Sequence, residues 1–370
     1  MHKLLAVACA LVALALPAAG SAACGAPGGW ERWKHIGERM ISPEGRVIDH
    51  SDDRLITTSE GQSYALFFAL VDNDRALFRR LARWTEKNLA GGDFTSNLPS
   101  WLWGRRPSGE WGVLDENSAA DSDLWIAYSL LEAGRLWQER SYTVLGTLLL
   151  QRMALEEAAD PPGLGPVLLP GAQGFVHEGR WKLNPSYLPP QLASRAAAVL
   201  PGSPWDALAS GAYRFLTGSA PKGLAPDWIS WTSKGFESLA EDENVGSYDA
   251  IRVYLWVGML DDQAPRAAEL KRHFKALRAH LSADGTPPEK IDVHRGVAQG
   301  EGPPGFSAAL LPLFSGEPEA GALRARLEGA AGRDMGYYNQ MLTLFGEGWD
   351  QGRYRFGADG RLIPRWETCQ

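Results

Sequence analysis

The sequence predicts an all-α protein of about eleven helices, and three observations carry that prediction. Apolar residues recur at helical spacing from one end of the chain to the other. Sustained alternation with a period of two, the mark of half-buried strands, is rare. Capping and breaking residues punctuate the periodic stretches at helix-length intervals. Residues 74–89 are the clearest case: Leu77, Leu81, Trp84 and Leu89 share a face, Asp74 caps the start and Gly91-Gly92 follows the end. In residues 124–137, Ala127, Tyr128, Leu131 and Arg135 form one stripe and Leu130, Ala133 and Trp137 the next, as in a helix buried on most sides. Further helices are predicted over 61–71, 142–158, 190–200, 204–217, 248–260, 265–283, 305–314, 317–331 and 337–345.

Between them lie short turns and long Gly/Pro-rich loops, notably 161–187 and 286–304, where binding groups commonly sit. No composition break, low-complexity linker or strong repeat divides residues 24–370, which read as one domain. That many similar helices fit a solenoid, an irregular bundle or a closed ring of hairpins, and periodicity does not choose among them.

The amino terminus has the three parts of a secretory signal peptide. Met-His-Lys is followed by an apolar run over residues 4–16 and then by Pro17 and the small residues Ala18 to Ala23. The run is shorter than the roughly 20 residues of a spanning helix, so residues 1–23 read as a cleaved signal and the mature chain as periplasmic or secreted, with no membrane span. Ser21, three positions before Cys24, argues against lipidation. Cleavage after Ala23 leaves Cys24 and Cys369, one at each end, either joined as a disulfide in an oxidising compartment or present as two free thiols.

Loss of Lys3 with the signal moves the formal net charge from −7 to −8. No basic run of the kind that tracks phosphate remains, which argues against nucleic acid as a partner. The chain holds 15 tryptophans, none in the signal, and each offers either core volume or a flat face for a sugar ring. Trp101 and Trp103, in Pro99-Ser100-Trp101-Leu102-Trp103-Gly104, and Trp111 nearby cluster in a stretch that reads as a loop, where packing alone is a poor explanation.

The sequence contains no G-x-S-x-G elbow, phosphate-binding loop, Rossmann fingerprint or H-E-x-x-H, and its remaining cysteines are terminal. Carboxylates are therefore the credible catalytic groups. Glu60 stands at a predicted helix start in Thr57-Thr58-Ser59-Glu60-Gly61-Gln62, with Thr58 or Ser59 as cap. Asp249 repeats the situation behind Ser247, as do Asp121 and Asp123 in Ala119-Ala120-Asp121-Ser122-Asp123. Each could simply favour its helix dipole. Three such starts would instead converge if their helices ran parallel with their amino ends at one face, as the inner helices of a ring of hairpins do. Glycoside hydrolysis needs this inventory, one acid to protonate the leaving oxygen and one carboxylate to activate water or attack the sugar. A general acid at a helix amino end must hold its proton against the dipole, so burial or a like charge from Asp121 or Asp123 has to act on Glu60.

At these residues the chain resembles glycoside hydrolase family 8, and within it the endoglucanases associated with bacterial cellulose synthase. The resemblance covers almost the whole mature chain and is carried by residues 42–49, 57–64, 101–104, 130–137, 184–189, 247–254, 256–259, 305–309 and 343–345. It implies an (α/α)6 barrel with long loops forming a substrate cleft at one end, and endo-β-1,4-glucanase activity with inversion. It further implies Glu60 as proton donor and Asp249 as general base. The acid that holds the sugar beside the scissile bond matches Asp121, with Asp123 the alternative, since Ala120 and Ser122 depart from the usual neighbours. By position Tyr248 and Arg252 contact sugar, Tyr187 bonds near the nucleophilic water, and Trp101, Trp103 and Trp111 are the candidate stacking platforms, with at least one of the three structural. No metal or other cofactor is implied. The partners implied are cellulose chains and the cellulose synthase complex, with a monomer the default state. The rival readings are a non-catalytic periplasmic escort for glycan and a hydrolase of xylan, chitosan or mixed-linkage glucan.

Overall fold

Helices that are apolar on every side have to be enclosed by other elements, whereas helices with one apolar stripe can enclose them. Both kinds occur here, and they alternate along most of the chain. The computed structural model describes residues 29–238, 240–330 and 336–368 and contains twelve α-helices among them. They are α1 (Glu31–Met40), α2 (Ser59–Val71), α3 (Arg75–Leu89), α4 (Ala120–Trp137), α5 (Arg140–Glu156), α6 (Pro190–Val199), α7 (Pro204–Ser219), α8 (Ala250–Gly258), α9 (Ala267–Phe274), α10 (Pro304–Leu310), α11 (Glu319–Gly329) and α12 (Gly336–Asp350).

The even-numbered helices form the inner ring. In α2 every residue except Glu60 is buried, α8 is buried throughout, and α10 is buried after Pro304. Neighbours pack in the order α2, α4, α6, α8, α10, α12, and Phe67 and Phe68 of α2 against Phe345 of α12 close the circle. The odd-numbered helices lie outside and bury single stripes, such as Leu77, Phe78, Leu81, Ala82, Thr85 and Leu89 of α3. The result is an (α/α)6 barrel, the fold expected from the resemblance. Close approach in the ring demands small residues. A side chain on Gly346 of α12 would run into the Ala308 carbonyl of α10.

The barrel axis is filled with aromatic rings. Trp125 lies 4.9 Å from Phe67, 5.2 Å from Phe345 and 5.3 Å from Trp256, centroid to centroid. Tyr64 packs edge-on against Phe345 at 4.9 Å. Trp30, Trp33, Trp137 and Trp205 are also buried, so the tryptophan excess serves the core as well as the surface.

The sequence reading is corrected in several places. It omitted α1, although Trp33, Ile36 and Met40 are the spaced, buried positions of a helix face, because Gly37 and a dense run of charges interrupt the pattern. It ran α9 too far: after Phe274 the chain tightens into a 3-10 helix over Lys275–His280, where Phe274 and Leu277, three apart, both face inward. The tryptophan stretch is a hairpin rather than a loop, with Leu102–Arg105 paired to Trp111–Asp115 and, on its other side, to Thr57–Thr58. The pairing to Thr57–Thr58 is non-local and leaves no local pattern, whereas the hairpin itself closes over residues 106–110. Short strands also occur in the long loops, including a four-stranded sheet over 176–177, 180–183, 229–232 and 235–237. Residues 1–23, Cys24 and Cys369 lie outside the described residues. No helix among those described is long and apolar enough to cross a membrane.

Candidate active site

The inner helices α2, α4 and α8 present their amino ends at one end of the barrel, and helical spacing stacks the site on the aromatic core. Glu60 stands one turn above Tyr64, Asp121 one turn above Trp125, and Arg252 one turn above Trp256. Thr58 caps α2 by accepting the Gly61 N–H at 3.1 Å, which fixes the backbone on both sides of Glu60.

Arg252 is the centre of the site. Its side chain is 2 % exposed, and it donates to Glu60, to Asp121 at 3.1 Å and to Asp249 at 2.6 Å. The same guanidinium reaches the Tyr64 hydroxyl at 3.2 Å, and the Tyr187 ring lies 5.5 Å from it. One buried cation thus holds carboxylates from three helices. Burial is the largest influence on Glu60 and raises its pKa from 4.5 to about 7, with Asp121 and Asp249 pushing the same way and Arg252 opposing them. Desolvation therefore outweighs the helix dipole at Glu60, and the like charge comes from Asp121 rather than Asp123. Burial likewise raises the pKa of Asp121, against Arg252 and the Ser122 N–H that its Oδ1 accepts at 2.7 Å.

Asp123 does not join this cluster. It is fully buried beside Glu157, and burial and the Glu157 charge both favour its protonated form. Ser118 donates to Glu157 at 2.6 Å. Burial pushes Asp123 well above the carboxylate range and Glu157 up to about 8.

The cleft walls carry aromatics. Ser59 N–H donates to the Trp101 carbonyl at 2.9 Å, so the tryptophan hairpin is tied to the residue before Glu60. Trp103 and Trp111 stack at 5.4 Å with planes 17° apart, the Arg46 guanidinium lies over both, and Trp111 is 46 % exposed. Trp103 is held further by Trp84, edge-on at 5.3 Å, while Trp101 is half-buried. On the other wall Tyr187 faces Trp228, which stacks on Phe175. Tyr248 is 42 % exposed beside Phe306, and its carbonyl accepts from Tyr338. A cavity of 190 Å³ beside Glu60 is lined by Val47, Asp49, Ile56, Thr58, Gly61, Tyr337 and Tyr338.

Glu60, Asp121, Asp249, Arg252 and Tyr187 are therefore brought together, with Trp103, Trp111 and Tyr248 placed around them. Tyr64, Tyr338, Trp228 and Asp227 escaped the sequence reading. Tyr64 could have been found by counting one helical turn from Glu60; the others come from distant segments with no local signal. The start of α8 was also misread. Ser247 does not cap it, because its hydroxyl donates to the Glu289 carbonyl at 2.7 Å, and Asp249 is the N-cap position rather than a first-turn residue. Among the described residues no group of His, Cys, Asp and Glu is arranged to hold a metal ion.

A largely desolvated carboxyl that keeps its proton near neutrality, set beside a carboxylate held by a guanidinium, can protonate a leaving oxygen and activate a water. Comparison with known proteins agrees with that chemistry. Residues 1–352 match the Glycosyl hydrolases family 8. An endoglucanase of Escherichia coli O157:H7 is 50% identical over 338 residues, 91% of each chain. An endoglucanase of Xanthomonas axonopodis pv. citri is 50% identical over 363 residues, covering 96% of this chain and 94% of that one. The crystal structure of endo-1,4-D-glucanase from Vibrio fischeri ES114 matches with a TM-score of 0.87 at 46% identity, covering 91% of this chain and 99% of that one. The chain belongs to glycosyl hydrolases family 8 and is an inverting glycoside hydrolase.

Proposed function

We propose that the protein is an endo-β-1,4-glucanase that cleaves cellulose-like glucan, with Glu60 as general acid, Asp249 as general base and Asp121 holding the sugar beside the scissile bond. The observation that carries this reading is the single guanidinium of Arg252 bonded to all three carboxylates at the cleft floor. Glu60, with its pKa near 7, keeps a proton to give to the glycosidic oxygen. Asp249, held by Arg252 through one oxygen, takes a proton from water as that water attacks the anomeric carbon from the opposite face. Inversion needs room for this water, about 6.5–9.5 Å between the carboxyls. A guanidinium standing between Glu60 and Asp249 is in line with such a gap. The Tyr187 ring lies against the Arg252 guanidinium, 5.5 Å from it, and in this reading its hydroxyl holds the water. The stacked Trp103 and Trp111 and the exposed Tyr248 supply flat faces for sugars on either side.

The names of the relatives support a β-1,4-glucan as substrate. The signal-like residues 1–23 support export to the periplasm, and the resemblance to the endoglucanases associated with cellulose synthase supports a role in cellulose synthesis and export, in association with the synthase complex. The test is reducing-sugar release from carboxymethyl cellulose by the mature protein, with xylan, chitosan and mixed-linkage glucan alongside. Glu60→Gln and Asp249→Asn should each lose about 10²–10⁴-fold in kcat. The α-anomer should appear first by NMR. Tight cello-oligosaccharide binding without hydrolysis in the wild type would overturn this reading in favour of a glycan escort.

A further inference from the structure

Helix α8 carries Asp249 at its N-cap, yet neither Asp249 nor Ser247 caps it with its own side chain. The acceptor comes from a separate segment. Asp227 Oδ1 accepts the N–H of Ser247 at 2.8 Å, of Asp249 at 3.1 Å and of Ala250 at 2.7 Å. Three donors converge on one oxygen, and the middle one belongs to Asp249 itself.

The segment around Asp227 is fixed on both sides. Its own N–H donates to the Val245 carbonyl at 2.7 Å, and the Ala225 N–H donates to the Tyr254 hydroxyl, on α8, at 2.9 Å. Contact is so close at Gly246 that any side chain there would strike the Ala225 carbonyl. The residue after Asp227 is Trp228, which faces Tyr187. A carboxylate accepting three backbone N–H groups is an ordinary helix cap, but this one comes from 22 residues before Asp249 and is placed beside it despite the like charge. Burial and Asp249 raise the pKa of Asp227 to about 6, against the three hydrogen bonds.

We infer that Asp227 is a positioning residue for hydrolysis, holding the first turn of α8 so that the Asp249 carboxylate faces the attacking water. This rests on the reading of Asp249 as general base. A shift of about 1 Å in a reacting group costs on the order of 100-fold in rate, so the effect of losing the clamp should fall on kcat.

The experiment measures kcat and KM on carboxymethyl cellulose and on an aryl β-cellobioside, with melting temperature as a check on folding. The variants are Asp227→Ala, Asp227→Asn, Asp249→Asn and the double variant Asp227→Ala/Asp249→Asn. Asp227→Ala is expected to lose about 10- to 100-fold in kcat on both substrates at nearly unchanged KM. Asp227→Asn keeps the accepting oxygen and should stay within about threefold of wild type. In the Asp249→Asn background, Asp227→Ala should cost nothing more, because its effect passes through the residue already removed. Wild-type kcat in Asp227→Ala, an Asp227→Asn loss as large as that of alanine, or full additivity in the double variant would each overturn the inference. If Asp227→Ala does not fold, Asp227→Leu, which fills the side-chain volume without an acceptor, takes its place in the cycle and the same outcomes decide. An Asp249→Asn enzyme with wild-type kcat overturns the general-base reading and this inference with it. An inactive Asp249→Asn beside a fully active Asp227→Ala overturns the inference alone.

Discussion

Arg252 sets two quantities at once, the orientation of Asp249 and the proton affinity of Glu60. Burial raises the Glu60 pKa to about 7 while Arg252 pulls it down, so the acid limb of catalysis ends near neutrality: kcat/KM should fall as pH rises through about 7. Replacing Arg252 by glutamine removes the lowering influence, which moves that alkaline limb to higher pH. The same change frees Asp249 from its 2.6 Å partner, so kcat should drop at least about tenfold. A pH profile of kcat/KM for both enzymes checks the pair of effects, and an alkaline limb that moves down in Arg252→Gln would contradict them. At this scale the sequence was informative where chemistry and helix starts coincide. Glu60, Asp121 and Asp249 each stood beside a polar helix start, and the structure gathers all three. Asp123 shared every local feature of Asp121 but, two residues along the same helix, faces Glu157 instead of the cleft. The partner of a buried carboxyl is a property of packing, which is why Asp227 and Tyr338 gave no local signal.

Helices are the level at which the site is kept rigid. Each helix that lends a charged group to the cleft also sends an aromatic ring into the axis one turn below, so the floor of the site and the core are the same structure. Phe345 touches Tyr64, Phe67, Phe68, Trp125 and Trp256 and therefore links three of the helices that carry or flank the acids. Phe345→Ala should destabilise the protein by about 3–5 kcal/mol and lower kcat, because the amino ends of α2, α4 and α8 lose their common support. Urea denaturation beside initial rates measures both, and a cost below about 1 kcal/mol would show that the rings are not the shared support. The helices themselves were legible because a buried inner helix and a striped outer helix leave different periodic patterns. Their arrangement as a ring was not, since closure depends on Phe67 meeting Phe345, nearly the whole chain away. The third strand of the tryptophan sheet was missed for the same reason: Thr57 pairs with Trp103 across an intervening helical hairpin.

Across the whole molecule, burial has left several carboxyls with raised pKa values: Asp72 and Asp227 at about 6, Glu60 at about 7 and Glu157 at about 8. Unfolding returns each to its ordinary value, 3.8 for aspartate and 4.5 for glutamate. Between those limits the folded state binds more protons than the unfolded chain, so stability contributed by these groups is full below about pH 4 and is lost as pH rises through about 8. Asp52, Asp93, Asp262, Asp284 and Asp292 act in the opposite sense, since hydrogen bonds or ion pairs lower their pKa values and favour folding above the aspartate range. All five are at the surface, where such pairs are screened by solvent and contribute little. The buried set should therefore dominate, and the melting temperature should fall steadily from about pH 5 to pH 9. Of these four, Glu157 extends furthest into the alkaline range, and it lies beside Asp123, whose own pKa is pushed well above the aspartate range. Glu157→Gln keeps an acceptor for Ser118 while removing the group that must ionise, so the decline above about pH 7 should flatten. Calorimetry of both proteins across this range decides the matter. A wild-type melting temperature that rises toward pH 9, or a Glu157→Gln curve parallel to it, would mean that the raised pKa of Glu157 does not govern alkaline stability.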